Sequence, residues 1–218
     1  MCNAYRCGDE IKAQTDLRRA LRLDRTRFGR LIRRTGRGLV YRSDGTLVEM
    51  RWGIERPRLG SINNSREDKL DGPMWRTAYR ERRCLIPATG YYEFSGPKGA
   101  KQAHLFSRTD ETWMWIAGLW EESPEHGLCY TMVTTDPNAV AATVHDRMPS
   151  ILEPHELEDW LAGRLRRFSP PAESLRVDNA ANPLKKGWSA EENSPLARTE
   201  DGFPDLLKGL DNAPEQGP

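Results

Sequence analysis

The second residue of the chain carries its most distinctive chemistry. In Met1-Cys2-Asn3-Ala4-Tyr5, loss of Met1 leaves Cys2 with a thiol and a free α-amine on adjacent carbons. That pair can close on a single aldehyde carbon: the amine forms a Schiff base, the thiol adds to it, and a five-membered thiazolidine results. No internal cysteine can do this. An α-amine with a reference pKa of about 7.7–8 is roughly 10–20% neutral at pH 7, and a thiol near about 8.5 is mostly protonated, so both groups need neighbours that move protons. The competing reading is an inert thiol at position 2, and the choice between the two rests on whether such neighbours exist.

Four other stretches could supply them. Ile62-Asn63-Asn64-Ser65-Arg66-Glu67 is a polar run ahead of a helix, and Arg51-Trp52-Gly53 closes a predicted hairpin. The run from Cys84 to Phe94 carries one acid, Glu93, among apolar residues, and Val144-His145-Asp146-Arg147-Met148-Pro149 holds a histidine beside charges. Each has a plain structural reading. Glu93 could be an edge-exposed or arginine-paired acid, His145 a hydrogen-bonded core histidine, Asn63 an N-cap, and Trp52 core packing like Trp113, Trp115 and Trp120. His104, His126 and His155 sit in polar or turn contexts and receive no role.

The elements that must position these residues follow from periodicity and turn chemistry. Residues 10–22 and 25–34 read as two helices broken near Asp24. A hairpin is predicted from Leu39–Arg42 and Thr46–Gly53 around the turn Ser43-Asp44-Gly45. Pro57 to Gly60 form a loop, and residues 72–83 a short helix starting at Pro73. Strand-like runs at 84–87, 90–94, 103–107, 112–119 and 128–134 are each bounded by turn residues. A helix over 154–162 ends at Gly163. The pattern is α+β, a β core with inserted helices, in one domain over 1–194; residues 195–218, rich in Pro, Gly, Asp and Glu, read as a flexible tail.

Composition narrows the function classes. With 218 residues, 37% hydrophobic content and seven Trp the chain can bury a sizeable core, and 30% charge makes its surface polar. It has no apolar run long enough to span a membrane and no signal-peptide pattern at Met1-Cys2-Asn3, so a soluble cytoplasmic protein is expected. Cys2, Cys7, Cys84 and Cys129 show no CxxC spacing, which points away from a disulfide framework or a zinc site and makes Cys84 and Cys129 buried core thiols. The net charge of +1 hides an asymmetry: from Arg18 to Arg37 there are nine arginines and a single acid, Asp24, and Arg80, Arg82 and Arg83 form a second cluster. Such stretches fit a phosphate-backbone partner, or else a solvated helix face.

In their order and content these motifs resemble the SRAP family, the SOS response-associated peptidases, known for covalent capture of abasic sites in single-stranded DNA. The resemblance runs from Cys2 to about Leu152 and more weakly beyond Trp160; it is carried by Cys2, Asn63, Glu67, the whole of Arg83 to Gly90, Glu93, and His145 to Pro149. It implies a barrel-like antiparallel β core, with Cys2 as the nucleophile and Asn63, Glu93 and His145 around it. Capture passes through a carbinolamine that must lose water, so a carboxyl kept protonated on an apolar strand suits Glu93. His145 can shuttle protons and assist ring opening of the sugar, and Asn63 can orient the α-amine or an oxyanion.

The resemblance also implies a DNA grip, and here the chain departs from the family pattern. Asn3-Ala4 stand where the family has Gly-Arg, Ser65 replaces an arginine, and Phe94 replaces a tryptophan. Arg6 and Arg66 lie next to the missing arginines and, with Arg147, are the expected phosphate contacts; Trp52 and Phe94 are expected to stack on bases. The expectation is an abasic-site sensor that removes its own Met1, links Cys2 to the open-chain aldehyde, acts as a monomer without metal or organic cofactor, associates with the nucleoid when on DNA, and has a possible lyase side reaction. Two readings compete with it. One is an N-terminal-nucleophile cysteine amidohydrolase or peptidase, with the Cys2 thiolate attacking an amide. The other is a noncovalent nucleic-acid-binding module that uses only the basic stretch.

Overall fold

A computed structural model describes residues 2–7, 31–110, 113–165, 172–186 and 188. Fifteen strands follow in chain order: β1 (Ala4–Arg6), β2 (Leu31–Arg33), β3 (Arg37–Arg42), β4 (Leu47–Trp52), β5 (Ile54–Arg56), β6 (Gly60–Ile62), β7 (Asn64–Arg66), β8 (Arg83–Ala88), β9 (Gly90–Ser95), β10 (Gln102–Arg108), β11 (Met114–Ser123), β12 (Gly127–Thr135), β13 (Met148–Pro149), β14 (Ile151–Leu152) and β15 (Leu175–Ala180). Two short α-helices, α1 (Arg76–Glu81) and α2 (Leu157–Leu161), complete the set with a few 3₁₀ turns. The described part is therefore mostly β, with less helix than the α+β pattern expected.

Strands β12, β4, β3, β8 and β11 pair in sequence, and β11 pairs back onto β12, which closes a five-stranded barrel. Closure removes the free edges of these strands. One pairing, β12 with β4, is parallel and departs from the antiparallel core expected. The long strand β12 serves as the frame: on one edge it carries β11 and then β13, and on the other β4 through Cys129 and Tyr130, then β7 through Met132 to Thr134. The edge left where β4 ends is thus taken by β7, and this places Asn63 and Asn64 at the barrel rim.

A second sheet, ordered β15-β10-β9-β1-β2, leans on the barrel. Its centre is apolar and aromatic: Tyr5 pairs with Tyr91 across β1 and β9, and Tyr91 stacks on Phe106 with ring centroids 4.7 Å apart. Tyr5, Trp52, Tyr91 and Tyr130 are all fully buried, at roughly 1.5–3 kcal/mol of transfer free energy for a large apolar side chain. The Tyr5 and Tyr130 hydroxyls share a hydrogen bond, packed against Gly38, where any Cβ would run into both oxygens. The outer face of this sheet has its own small cluster of Ala4, Tyr92 and Leu105, with Phe94 and Trp188 against it.

Several expectations hold and others need correction. The hairpin at 39–53 and the five strand runs after Cys84 appear within a few residues of their predicted bounds, with Gly45 at φ 82° in the hairpin turn. Glu153 and Glu156 form a capping box for the turn that starts the helical stretch at 154, and Gly163, at φ 80°, follows its end. The helix expected from Pro73 begins only at Arg76, because residues 72–75 form turns first. Residues 31–33, expected as the end of a helix, are strand β2: they pair with Ala4–Arg6, and that pairing outweighs their helical periodicity. The rest of the two helices predicted in 10–34, and the tail at 195–218, lie outside the described residues.

Candidate functional site

Cys2 is delivered to the site by β1, which is paired on both edges, with β2 and β9. The residue is 1% exposed, and its thiol donates a hydrogen bond to the Ala4 carbonyl at 3.2 Å. Its own carbonyl accepts two side-chain amides, Asn63 Nδ2 at 3.0 Å and Asn64 Nδ2 at 2.8 Å. Asn63 is fixed in turn: its carbonyl accepts the Trp52 indole N–H at 2.8 Å and the Met132 backbone N–H at 3.0 Å. The path from β4 and β12 through Trp52 to Asn63 therefore ends on Cys2. Gly53 makes that path possible, since it sits at φ 125° and a Cβ there would collide with Ser61.

One ionisable side chain, Glu93, stands near the thiol, and a second, His145, stands near Glu93. Glu93, on β9, is 3% exposed, and burial raises its carboxyl above the ordinary glutamate value. His145 is close enough for its charge to oppose that rise, and its Nδ1 lies 2.8 Å from Asp146 Oδ1. Burial, and then the negative charge of Glu93, push the Cys2 thiol well above its ordinary range. Cys2 thus has Asn63 on its carbonyl and Glu93 near its thiol, with His145 near Glu93.

Beside them opens a cleft of about 640 Å³ lined by Asn3, Arg34, Ser61, Asn63, Asn64, Arg66, His145 and Arg147, among others. Arg66 is exposed and bonds Asp68 through two nitrogens at 2.9 and 3.1 Å. Arg147 is held by Asp136 and by the Thr134 carbonyl. Both expected arginines therefore line the cleft.

The other expected DNA contacts are placed differently. Trp52 lies in the core, with its ring edge-on to Tyr5 at 5.2 Å, so it cannot stack on a base without unpacking the barrel; it orients Asn63 instead. Arg6 is buried on a strand paired on both sides, with its charge close to Tyr92. Phe94 is half-buried against the outer cluster of Ala4, Tyr92 and Leu105. Asn63 Nδ2 meets the carbonyl of Cys2. Arg83, counted with a surface basic cluster, is buried between the rings of Tyr79 and Trp160 and bonds three carbonyls.

Two residues escaped the sequence reading. Asn64 shares the Cys2 carbonyl with Asn63, and the Asn-Asn pair was its visible signal. Arg34 reaches the cleft from the turn after β2 and was hidden within a run of arginines. Ala4 is fully buried and Ser65 is 1% exposed with its hydroxyl on the Met132 carbonyl, so neither position where the family pattern has arginine opens to the cleft here. All four cysteines are free thiols and buried. His104 pairs with Glu93 across β9 and β10, but its Nε2 meets Ser95 Oγ at 2.7 Å. Among the described residues no helix is long and apolar enough to cross a membrane, and no cluster of His, Cys, Asp or Glu has the geometry to hold a metal.

Comparison with known proteins gives the same picture. The family model for SRAP, SOS response associated peptidase, matches residues 8–184. The abasic site processing protein YoqW of Bacillus subtilis is 32% identical over 132 residues, 55% of this chain and 58% of that protein. The abasic site processing protein HMCES of Gallus gallus is 27% identical over 158 residues, 55% of this chain and 46% of that protein. The matched stretch thus spans about half the length of these curated relatives. Among solved structures, a protein from Bordetella bronchiseptica superposes with a TM-score of 0.68 at 22% identity, covering 83% of this chain and all of that one. One from Bacteroides thetaiotaomicron reaches 0.67 at 19% identity, covering 95% of this chain and 99% of that one. With the family model matched across most of the chain and the motif residues gathered around Cys2, this protein belongs to the SRAP family.

Proposed function

We propose that the protein captures abasic sites in single-stranded DNA through Cys2 after Met1 has been removed. The observation that carries this reading is the convergence on Cys2: two amides grip its carbonyl, a buried carboxyl stands near its thiol, and a cleft with three arginines opens beside it. The printed names of the relatives, abasic site processing proteins, agree with it.

The chemistry balances with the groups present. The neutral α-amine of Cys2 adds to the aldehyde carbon and gives a carbinolamine. Glu93, whose carboxyl burial raises above the ordinary glutamate value, donates its proton from the protonated form to the hydroxyl, which leaves as water and produces an iminium. The Cys2 sulfur then bonds to the iminium carbon, its proton passes to the Glu93 carboxylate, and the nitrogen regains its electron pair. The product is a thiazolidine plus one water, and Glu93 ends as it began. A thiol pushed up by burial needs such a base, and the carboxylate is generated at the moment it is required. His145 at the cleft wall assists ring opening of the sugar, and the amides of Asn63 and Asn64 keep Cys2 from rotating away. An iminium at C1′ also acidifies C2′, so slow strand cleavage is an expected side reaction.

Incubation of the protein with single-stranded DNA containing one abasic site tests this. The expected result is a band that survives denaturing electrophoresis and disappears with Cys2→Ala. Absence of that band, with Met1 shown to be removed, overturns the reading and favours the amidohydrolase alternative.

A further inference from the structure

We infer that Arg34 is a phosphate-binding residue of the cleft, held there by the strained turn that follows β2. The inference extends the proposed reading by naming where this chain grips the DNA backbone.

The turn Arg33-Arg34-Thr35-Gly36 contains Thr35 at φ 63°. A β-branched residue avoids that left-handed region, so the surroundings must hold it there. They do so through the end of β4. Thr35 N–H donates to the Trp52 carbonyl at 2.8 Å, Trp52 N–H donates to the Gly36 carbonyl at 2.8 Å, and Gly36 N–H returns to the Arg33 carbonyl at 2.9 Å. The preceding Arg33 is turned away from the cleft, with Nε and Nη2 on the Pro183 carbonyl at 3.0 and 2.7 Å. Arg34 is thereby directed to the cleft, where its Nη2 donates to the Ser61 carbonyl at 2.9 Å. Trp52 is common to both arrangements, because the same residue that holds the turn donates its indole N–H to Asn63 beneath Cys2. The position of Arg34 is therefore fixed relative to the reacting residue.

Charge separates Arg34 from its neighbours. Arg66 is paired with Asp68 and Arg147 with Asp136, and the acid on the cleft wall, Asp146, is in contact with His145. Among the described residues Arg34 has a carbonyl partner but no carboxylate. Its guanidinium is exposed, has no carboxylate partner among the described residues, and has donors left over after the bond to Ser61. A phosphate diester in the cleft is the ligand chemistry that fits.

The test measures noncovalent binding of an intact single-stranded oligonucleotide by fluorescence anisotropy over a range of salt, with crosslinking to the abasic-site oligonucleotide run beside it. Arg34→Gln keeps an N–H for Ser61 but removes the charge, so folding is checked by an unchanged melting temperature. The expected result is roughly three- to tenfold weaker binding and a log–log salt slope shallower by about 0.7, the value for one phosphate contact on a single strand. Arg34→Lys should restore part of the slope, and Arg80→Gln, an exposed charge on α1 outside the cleft, should leave it unchanged. An unchanged slope in Arg34→Gln, or an equal fall in Arg80→Gln, overturns the inference. Failure of the wild-type protein to crosslink would instead count against the capture reading, and the salt slope would still decide the role of Arg34.

Discussion

Burial raises both the Cys2 thiol and the Glu93 carboxyl, and the two shifts act on the proposed capture in opposite ways. A raised thiol is a poorer nucleophile, while a raised carboxyl is a better acid near neutrality. Glu93→Gln should therefore slow crosslinking strongly. The wild-type rate should fall as pH rises through the raised carboxyl value, and that limb should vanish in the variant. The same shift bears on stability. Because the folded value lies above the unfolded one, about 4.3 for glutamate, the folded state binds the proton more tightly, and stability is lost as pH rises from there through the folded value. Chemical denaturation across that window should show the loss in the wild-type protein and a flatter profile in Glu93→Gln. Asn63 and Asn64 make a second case. Removing either amide leaves the Cys2 carbonyl one donor, at a cost of about 0.5–1.5 kcal/mol. Removing both strands a buried acceptor, so Asn63→Ala with Asn64→Ala should cost more than the sum of the single variants in a double-mutant cycle.

At the level of elements, β4, β7 and β12 decide where the chemistry sits. Trp52 at the end of β4 connects them, so Trp52→Phe should lower the limiting crosslinking rate while the DNA concentration at half-maximal rate stays the same. Had the ring stacked on a base, the second quantity would rise instead. Such links explain what could be read from the sequence. The strands from Cys84 to Thr135 have six or more residues each, with apolar runs and turn residues at their ends, and were legible. Strands β1, β2, β5, β6 and β7 have three residues each, too few to establish a period of two, and exist because partners are present to pair with them. Cys2, Asn63, Glu93 and His145 were legible as motif residues, but motifs carry no burial. Trp52 and Arg6 were thus assigned to DNA, although pairing and packing place them inside.

For the whole molecule, a net charge of +1 gives no general attraction for DNA, so the proposed grip depends on where cations stand without a carboxylate partner. Among the described residues of the arginine-rich stretch, Arg33 is held by Pro183 and Arg37 lies 3.2 Å from Glu49, which leaves Arg34 at the cleft. Other arginines serve the fold: Arg83 joins α1 to α2 from the first residue of β8, between two rings and on three carbonyls. Arg83→Met should cost roughly 2–4 kcal/mol in unfolding by denaturant, yet leave crosslinking intact at temperatures where the variant is folded. The capture of an abasic site by Cys2 is tested most directly by the intact mass of the denatured product formed with an abasic-site oligonucleotide. The expected mass is that of the chain without Met1 plus the oligonucleotide less one water, with none formed by Cys2→Ala. A product that retains Met1, or an unmodified protein whose Met1 has been removed, would contradict the account.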